Sequence, residues 1–168
     1  AKKFVDHPAI WGIDIGDEPS ALDFPHYGKV YEEVKRLFPN QFPYINLYPN
    51  YAVIATNSPE QTVNQLGTRS YTEHIAAFVK NVKSDYICFD FYPYSFGTNS
   101  AGQLEENRFG QYLENLRVVG DAATGSGRSM WFIPQVNSRY EHLWTSESQL
   151  RFQAYSAMAF GAETITWA

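Results

Sequence analysis

The feature that most constrains the fold of this chain is a regular alternation of short apolar runs with longer amphipathic stretches. Four stretches show helical spacing, and they extend over residues 24–38, 70–82, 109–125 and 145–161. Five apolar runs have the length of β-strands: Ile10–Ile15, Pro43–Tyr48, Asp85–Phe91, Ser129–Gln135 and Ala162–Trp167. Strands that alternate with helices along a chain form parallel β-α-β units. The sequence therefore predicts an α/β fold.

Capping signals support the helix assignments. Asp23 is the expected N-cap of the first helix, and Ser70-Tyr-Thr-Glu73 has the capping-box pattern at the start of the second. Helical spacing gives the fourth helix an apolar face made of Leu150, Ala154, Tyr155, Ala157 and Met158. The helix assignments therefore rest on capping residues as well as on spacing.

Composition bounds the size of the protein and its partners. A chain of 168 residues and 19.2 kDa has room for one domain, spanning residues 1–168. Its net charge of −5 argues against a nucleic-acid partner or an anionic membrane surface, because both attract basic proteins. No apolar run approaches the roughly 18 residues of a membrane span. We therefore expect neither nucleic acid nor a membrane-spanning segment.

Residue patterns also exclude several classes of site. Cys88 is the single cysteine, so no internal disulfide can form, and this count is compatible with an exported bacterial enzyme among other locations. The four histidines show no paired metal-ligand spacing, and no Gly-x-Ser-x-Gly elbow of a serine hydrolase occurs. We predict no metal and no cofactor. Aromatic residues make up 17% of the chain, which suits sugar-binding clefts and apolar cores alike.

Connection lengths differ between the two ends of the predicted strands. The connections from helix to strand are short, whereas those from strand to helix are long and comprise Pro49–Arg69, Pro93–Asn107 and Val136–Trp144. Strand-to-helix connections lie at the carboxyl ends of parallel strands, where α/β proteins build their sites. Lengthening on one side only favours a ligand-binding face over random insertion.

The end of the first strand carries the main candidate for chemistry. Its sequence is Gly12-Ile-Asp-Ile-Gly-Asp-Glu-Pro19, and period-two alternation places Glu18 on the same face as both glycines. We expect these small residues to leave room for a bulky ligand beside Glu18. A carboxyl group at the strand end, followed by a proline that fixes the chain direction, suits a general acid/base. The alternative is that Asp17 and Glu18 cap the next helix or face solvent.

The segment from His7 to Pro19 resembles the fourth barrel strand of clan A glycoside hydrolases, where an apolar strand ends in Asn-Glu-Pro or Asp-Glu-Pro. Four later segments are similar to the fifth to eighth strands of that clan, in the correct order: Pro43–Tyr51, Asp85–Tyr94, Met130–Asn137 and Ala157–Trp167. The last segment resembles the Gly-Ala turn and Trp-ending strand of the family 42 β-galactosidase-like enzymes, and the whole pattern is also family 5-like. The resemblance implies a partial (β/α)8 TIM barrel, with strands one to three supplied by a longer chain or a second copy.

The resemblance also implies hydrolysis of a glycosidic bond in an oligo- or polysaccharide, with Glu18 as the acid/base. Strand alternation places further candidate sugar-binding residues near the strand ends: Asn46, Tyr48, Asp90, Tyr92, Gln135, Asn137 and Trp167. Asp90 stands among apolar residues, so it should bind a sugar hydroxyl, pair with an arginine or serve as the second carboxylate. Trp167 either stacks under a sugar ring or fills the barrel.

Two residues depart from the pattern of the clan. Asp17 stands where the clan has asparagine, although a carboxylate can still accept a hydrogen bond from a sugar hydroxyl. Gln135 stands near the expected nucleophilic glutamate of the seventh strand, and an amide cannot form the glycosyl intermediate. Glu141 is a substitute carboxylate or a solvated loop residue. Glu163 lies at the beginning of the last strand, which is the end away from the site.

Three functional interpretations remain open from the sequence. The first is a glycoside hydrolase with Glu18 as general acid/base. The second is a non-catalytic carbohydrate-binding barrel that lacks the strand-seven nucleophile, which the uncharged Gln135 favours. The third is a self-sufficient five-stranded α/β interaction domain, which would need protected outer strands.

Overall fold

The computed structural model describes residues 7–52, 65–94, 97–98, 104–105, 109–136 and 145–167. These residues form parallel strands that alternate with α-helices, so the predicted mixed α/β class is confirmed. They divide between two compact units. The first unit comprises residues 1–48 and 52–85, and the second comprises residues 49–51 and 86–168.

The described residues of the first unit include a parallel sheet and two long helices. Its elements are β1 (Gly12–Asp17), α1 (Phe24–Leu37), β2 (Phe42–Asn46) and α2 (Tyr71–Asn81). In the parallel pairing of β1 with β2, Asp17 lies opposite Asn46. The two strands therefore end side by side, and the residues that follow them lie at the same edge of this sheet.

A bulge in β1 corrects the predicted alternation. The register with β2 shifts between Asp14 and Gly16, so Ile15 is the extra residue. The Asp14 carboxylate accepts a hydrogen bond from the backbone N–H of Gly16 at 3.1 Å. Because a bulge adds one residue to one strand, it changes which face the following residues occupy. The strict period-two alternation predicted up to Glu18 is therefore wrong.

The glycines of β1 leave no open space for a ligand. A Cβ atom on Gly12 would lie 2.8 Å from the ring of Phe42, and one on Gly16 would lie 2.5 Å from the ring of Tyr27. Aromatic side chains of β2 and α1 therefore occupy the space that these glycines provide. The expectation that small residues make room for a sugar is wrong for both positions.

Helices α1 and α2 pack closely against each other. A Cβ atom on Gly28 would lie 2.2 Å from the Asn81 carbonyl oxygen, so only glycine permits this approach. The buried rings of Phe24 and Phe78 meet edge to face, with centroids 5.5 Å apart. These contacts fix α2 against α1, which immediately follows the candidate turn after β1.

The predicted N-caps of these helices are in place, but only one caps through its side chain. The Ser70 hydroxyl accepts the N–H of Glu73 at 3.2 Å at the start of α2. Asp23 precedes α1 but makes no side-chain capping hydrogen bond. Its backbone angles are φ −92° and ψ −12°, whereas a capping residue normally has an extended backbone that directs its side chain towards the first turn.

The second unit contains a parallel three-stranded sheet. Its elements are β3 (Tyr86–Phe91), β4 (Gly97–Thr98), β5 (Leu104–Glu105), α3 (Phe109–Ser126), β6 (Ser129–Pro134), α4 (Glu147–Ala159) and β7 (Ala162–Ile165). The sheet order is β3-β6-β7, and β4 pairs with β5 as a short antiparallel ribbon. Its core is aromatic and includes the buried rings of Phe89, Phe91, Tyr112 and Phe132. The helix-linked parallel strands are the β-α-β arrangement that the sequence predicts.

Helix α4 buries only part of the predicted face. Ala157 is buried as predicted, but Tyr155 and Met158 are 64% and 56% exposed, and Gln153, which was not predicted, is buried. The side-chain amide of Gln153 donates to the Gln135 carbonyl oxygen at 2.9 Å and accepts the Gln135 N–H at 2.8 Å. A buried amide with both groups bonded carries little penalty. Hydrophobic spacing alone could not identify this face.

The predicted difference in connection length is confirmed by the element bounds. Helix-to-strand connections cover residues 38–41, 82–85, 127–128 and 160–161. Residues 18–23, 47–70, 92–108 and 135–146 separate the strands from the next long helix; helical residues 50–52 and 65–66 lie within the second of these stretches, and β4 and β5 lie within the third. The observed strand limits differ from the predicted ones by up to two residues. For example, β1 begins at Gly12 and not at Ile10, and β7 ends at Ile165 and not at Trp167. The assignment of residues 1–168 to a single partial barrel stays a prediction.

Candidate functional site

Glu18 lies in a strained turn at the carboxyl end of β1. Its φ angle is 48°, in the left-handed region that residues other than glycine rarely adopt. Its backbone N–H donates to the carbonyl oxygen of Asn46 at 2.8 Å. The next residue, Pro19, is buried, and Glu18 itself is half-buried. The turn therefore holds a carboxyl group at the sheet edge in an uncommon but well-anchored conformation.

Asp17 and Asn46 form a polar pair across the ends of β1 and β2. They lie opposite each other in the parallel register, and Asn46 Nδ2 donates to Asp17 Oδ1 at 3.0 Å. Asn46 is buried and Asp17 is exposed. The amide therefore orients an exposed carboxylate directly before Glu18.

Tyr48 extends this polar cluster. Burial raises the pKa of Tyr48, and the negative charges of Glu18 and then Asp17 raise it further. This electrostatic effect requires both carboxylates to lie near the phenol. A phenol with a raised pKa stays neutral at pH 7 and keeps its O–H as a hydrogen-bond donor.

The edge of the first unit thus combines four groups of complementary chemistry, those of Asp17, Glu18, Asn46 and Tyr48. Carboxylate oxygens accept hydrogen bonds from hydroxyl groups, and amide N–H and phenol O–H groups can donate hydrogen bonds to hydroxyl oxygens. A half-buried carboxyl group can also exchange a proton with a ligand. These predicted site residues of the first unit are brought together by the structure.

Asp90 and Tyr92 lie at the carboxyl end of β3 in the second unit. Asp90 is buried, with its Cα opposite that of Ile133 in β6, and Tyr92 follows the strand and is half-buried. A buried carboxylate needs polar partners or a function. Both residues therefore remain candidates for the roles that the sequence predicts.

Gln135 has a structural use at the end of β6. Its Oε1 accepts the backbone N–H of Tyr94 at 2.9 Å, and both of its backbone groups bond to Gln153. The side chain is 2% exposed. Gln135 therefore joins the residues after β3, the end of β6 and helix α4.

The other candidates of the second unit differ in their placement. Trp167 lies beyond the end of β7 and is 49% exposed. Glu163 lies near the start of β7, where its Oε2 accepts a hydrogen bond from the Ser129 hydroxyl at 2.6 Å. Its predicted position, away from the carboxyl ends of the strands, is therefore confirmed. Asn137 and Glu141 lie outside the described residues.

His74 is a buried polar residue that the sequence reasoning did not select. It lies on α2, and its Nδ1 atom is 2.9 Å from the carbonyl oxygen of Leu66. Burial lowers the pKa of His74 to about 4, while the hydrogen bond to Leu66 acts in the opposite direction. The available signal was its position: Tyr71, His74, Ile75 and Phe78 follow the i, i+3, i+4, i+7 pattern of a buried helix face.

Two other classes of site find no support within the described part of the chain. No cluster of three or more histidine, cysteine or carboxylate residues there is arranged to hold a metal ion. None of the helices described there has the length and apolar character needed to cross a bilayer.

Comparisons with known proteins support the fold more than a family. The chain matches no protein-family model and no curated protein. It is similar to the structure of a Bacteroides thetaiotaomicron protein described as a "putative alpha-L-fucosidase", with a TM-score of 0.59 and 14% identity over 96% of this chain and 50% of the other. Another similar structure is 2,3-dimethylmalate lyase of the PEP mutase/isocitrate lyase superfamily, with a TM-score of 0.44 and 9% identity over 99% and 61% of the respective chains.

The similarity to the fucosidase-described structure concerns the fold. At 14% identity, the TM-score of 0.59 supports a shared TIM-barrel-like arrangement of α/β elements. The chain spans about half the length of that protein.

Proposed function

We propose that this protein is a glycoside hydrolase acting on O-glycosidic bonds of an oligo- or polysaccharide, with Glu18 as its general acid/base. The observation that carries the proposal is the anchored, left-handed turn that places Glu18 beside Asp17 and Tyr48 at a strand end. A strained backbone at a polar site supports a functional role for its side chain. The similarity to the fold of a fucosidase-described structure supports the same class.

The proposed reaction uses Glu18 to protonate the oxygen of the leaving group. Asp17, held by Asn46, accepts a hydrogen bond from a sugar hydroxyl, and Tyr48 donates one. For the second unit, we propose separately that Asp90, Tyr92, Gln135, Asn137 and Trp167 bind saccharide. Asp90 and Glu141 are the proposed sources of the second carboxylate that two-carboxylate hydrolysis requires.

The experiment that tests Glu18 compares two leaving groups in the E18Q variant. A general acid matters most when the leaving oxygen is strongly basic, and 2,4-dinitrophenolate needs little protonation. We expect E18Q to lower kcat/KM by about 10²–10⁴-fold on alkyl glycosides. The loss should be much smaller on the corresponding 2,4-dinitrophenyl glycosides.

A matched control is E32Q, because Glu32 is an exposed carboxylate on α1. This variant should retain wild-type kcat/KM on both substrates. Equal losses on both leaving groups in E18Q would contradict the acid role, and unchanged turnover would remove Glu18 from the mechanism.

A second candidate function is a non-catalytic carbohydrate-binding barrel. The observation that favours it is that Gln135 occupies the end of β6 with an uncharged side chain bonded to the Tyr94 N–H. This function predicts saccharide binding by calorimetry without turnover of any glycoside, including dinitrophenyl substrates. Turnover that E18Q abolishes on alkyl glycosides would exclude it.

A further inference from the structure

A short segment of the first unit lies directly against the turn that carries Glu18. The Leu66 carbonyl oxygen accepts the N–H of Ala21 at 2.8 Å. Gly67 has a φ angle of 69°, and a Cβ atom there would lie 2.4 Å from Ser20 Oγ and 2.8 Å from the Leu22 nitrogen. Only glycine permits this conformation and this approach. Residues 65–67, called the anchor segment below, therefore restrain the chain just after Glu18.

His74 holds the anchor segment from the other side. Its Nδ1 lies 2.9 Å from the same Leu66 oxygen that binds Ala21. A carbonyl oxygen can only accept, so Nδ1 carries the proton and donates it. The imidazole is neutral at pH 7 because burial lowers its pKa to about 4. Nε2 is then an acceptor, and it is buried without a hydrogen-bond partner among the described residues.

Aromatic rings fix the orientation of this imidazole. Its centroid is 4.9 Å from that of Phe24, and it stacks at 6.2 Å on Tyr71. The ring of Tyr48, one of the candidate site residues, meets it edge to face at 6.2 Å. His74 is fully buried, so these contacts prevent the ring from turning away from Leu66.

We propose that His74 is a positioning residue that sets the conformation of the Glu18 turn through the Leu66 carbonyl, a role that rests on the proposed hydrolase function. The left-handed backbone of Glu18 persists only if its surroundings determine it. On one side, the Glu18 N–H is bound by the Asn46 carbonyl. On the other side, three residues later, Ala21 is bound by Leu66, whose orientation His74 fixes.

Two substitutions separate the hydrogen bond of His74 from its packing. H74F keeps an aromatic ring between Phe24 and Tyr71 but removes the donor. H74N places an amide N–H donor the same number of bonds from Cα as Nδ1, so it can restore the bond to Leu66.

The first readout is backbone amide hydrogen exchange at Ala21, under conditions where the protein is folded. We expect exchange about 10-fold or more faster in H74F and close to wild type in H74N, because local opening controls exchange at an anchored amide. The second readout is turnover of an alkyl glycoside. H74F should lower kcat by about 10–100-fold with little change in KM, and H74N should recover most of it.

If His74 acted only through packing, its substitution would lower the unfolding temperature, but H74F would not speed Ala21 exchange and H74N would not restore it. Ala21 exchange that is unchanged in H74F, or that H74N fails to restore, would overturn the proposal. If H74F does not fold, the wild-type protein and H74N are sufficient to test the proposal. ¹⁵N spectra of the wild type that show the Nε2-protonated tautomer of His74, or a folded H74N with unprotected Ala21, would overturn the proposal. Absence of turnover in the wild type would refute the hydrolase function, while Ala21 exchange would still test the role of His74.

Discussion

Acidification is expected to destabilise the protein through His74. In the folded state burial lowers the pKa of His74 from 6.5 to about 4. The unfolded chain therefore takes up this proton at a higher pH than the folded chain does. The unfolding free energy is unaffected by His74 above pH 6.5 and falls progressively as the pH drops towards 4.

The size of the effect follows from the difference between the two pKa values. They differ by about 2.5 pH units, and each unit corresponds to about 1.4 kcal/mol, so the full penalty is about 3 kcal/mol. The cause is the apolar surroundings, since the rings of Phe24, Tyr48 and Tyr71 cannot solvate an imidazolium. A loss of this size is a substantial part of the stability of a small domain.

Urea unfolding followed by circular dichroism measures the effect, at a series of pH values from about 7.5 to about 4.5. The wild type should lose about 2–3 kcal/mol more than H74N over this range, because all other ionisable groups are shared. H26N removes an exposed imidazole instead and should follow the wild type. Parallel pH profiles for the wild type and H74N would refute the reasoning.

Two further substitutions test the contacts around the candidate residues. Gly67 and Gly127 both have a positive φ, but only at Gly67 would a Cβ meet other atoms, so G67A should cost about 1–3 kcal/mol more unfolding free energy than G127A. Q153L should cost about 2–4 kcal/mol in the same urea assay, because it removes the two buried hydrogen bonds between the Gln153 side chain and the Gln135 backbone. Equal midpoints for the two glycine variants, or a wild-type midpoint for Q153L, would contradict these contacts.

The sequence predicted the order of elements and the side with long connections, because both depend on local periodicity. It did not predict the bulge in β1, where the Asp14 carboxylate accepts a hydrogen bond from the Gly16 N–H. The packing of Tyr27 against Gly16 could not be predicted from periodicity either, because it is a tertiary contact between a helix and a strand. Periodicity finds elements, but it does not show which side chain fills the space beside a glycine.

The candidate site was predicted only in part for a similar reason. Asp17, Glu18, Asn46 and Tyr48 were selected because strand ends in a parallel sheet lie together. The sequence does not indicate a role for His74, because a single histidine without metal-ligand spacing carries no functional signal. Its role emerges from a carbonyl oxygen shared with Ala21, a contact between residues distant along the chain.

The backbone of Glu18 supports the functional role that is proposed for its turn. A left-handed residue other than glycine costs roughly 1–2 kcal/mol, so a turn that only reverses the chain is better served by glycine. Here the same conformation carries a carboxylate, and hydrogen bonds from the end of β2 and from the anchor segment hold the turn on both sides. Gly67, in its own left-handed conformation, provides the close approach that this second anchor needs. Two anchors thus hold one strained residue, and the carboxyl group is what glycine could not supply at that position.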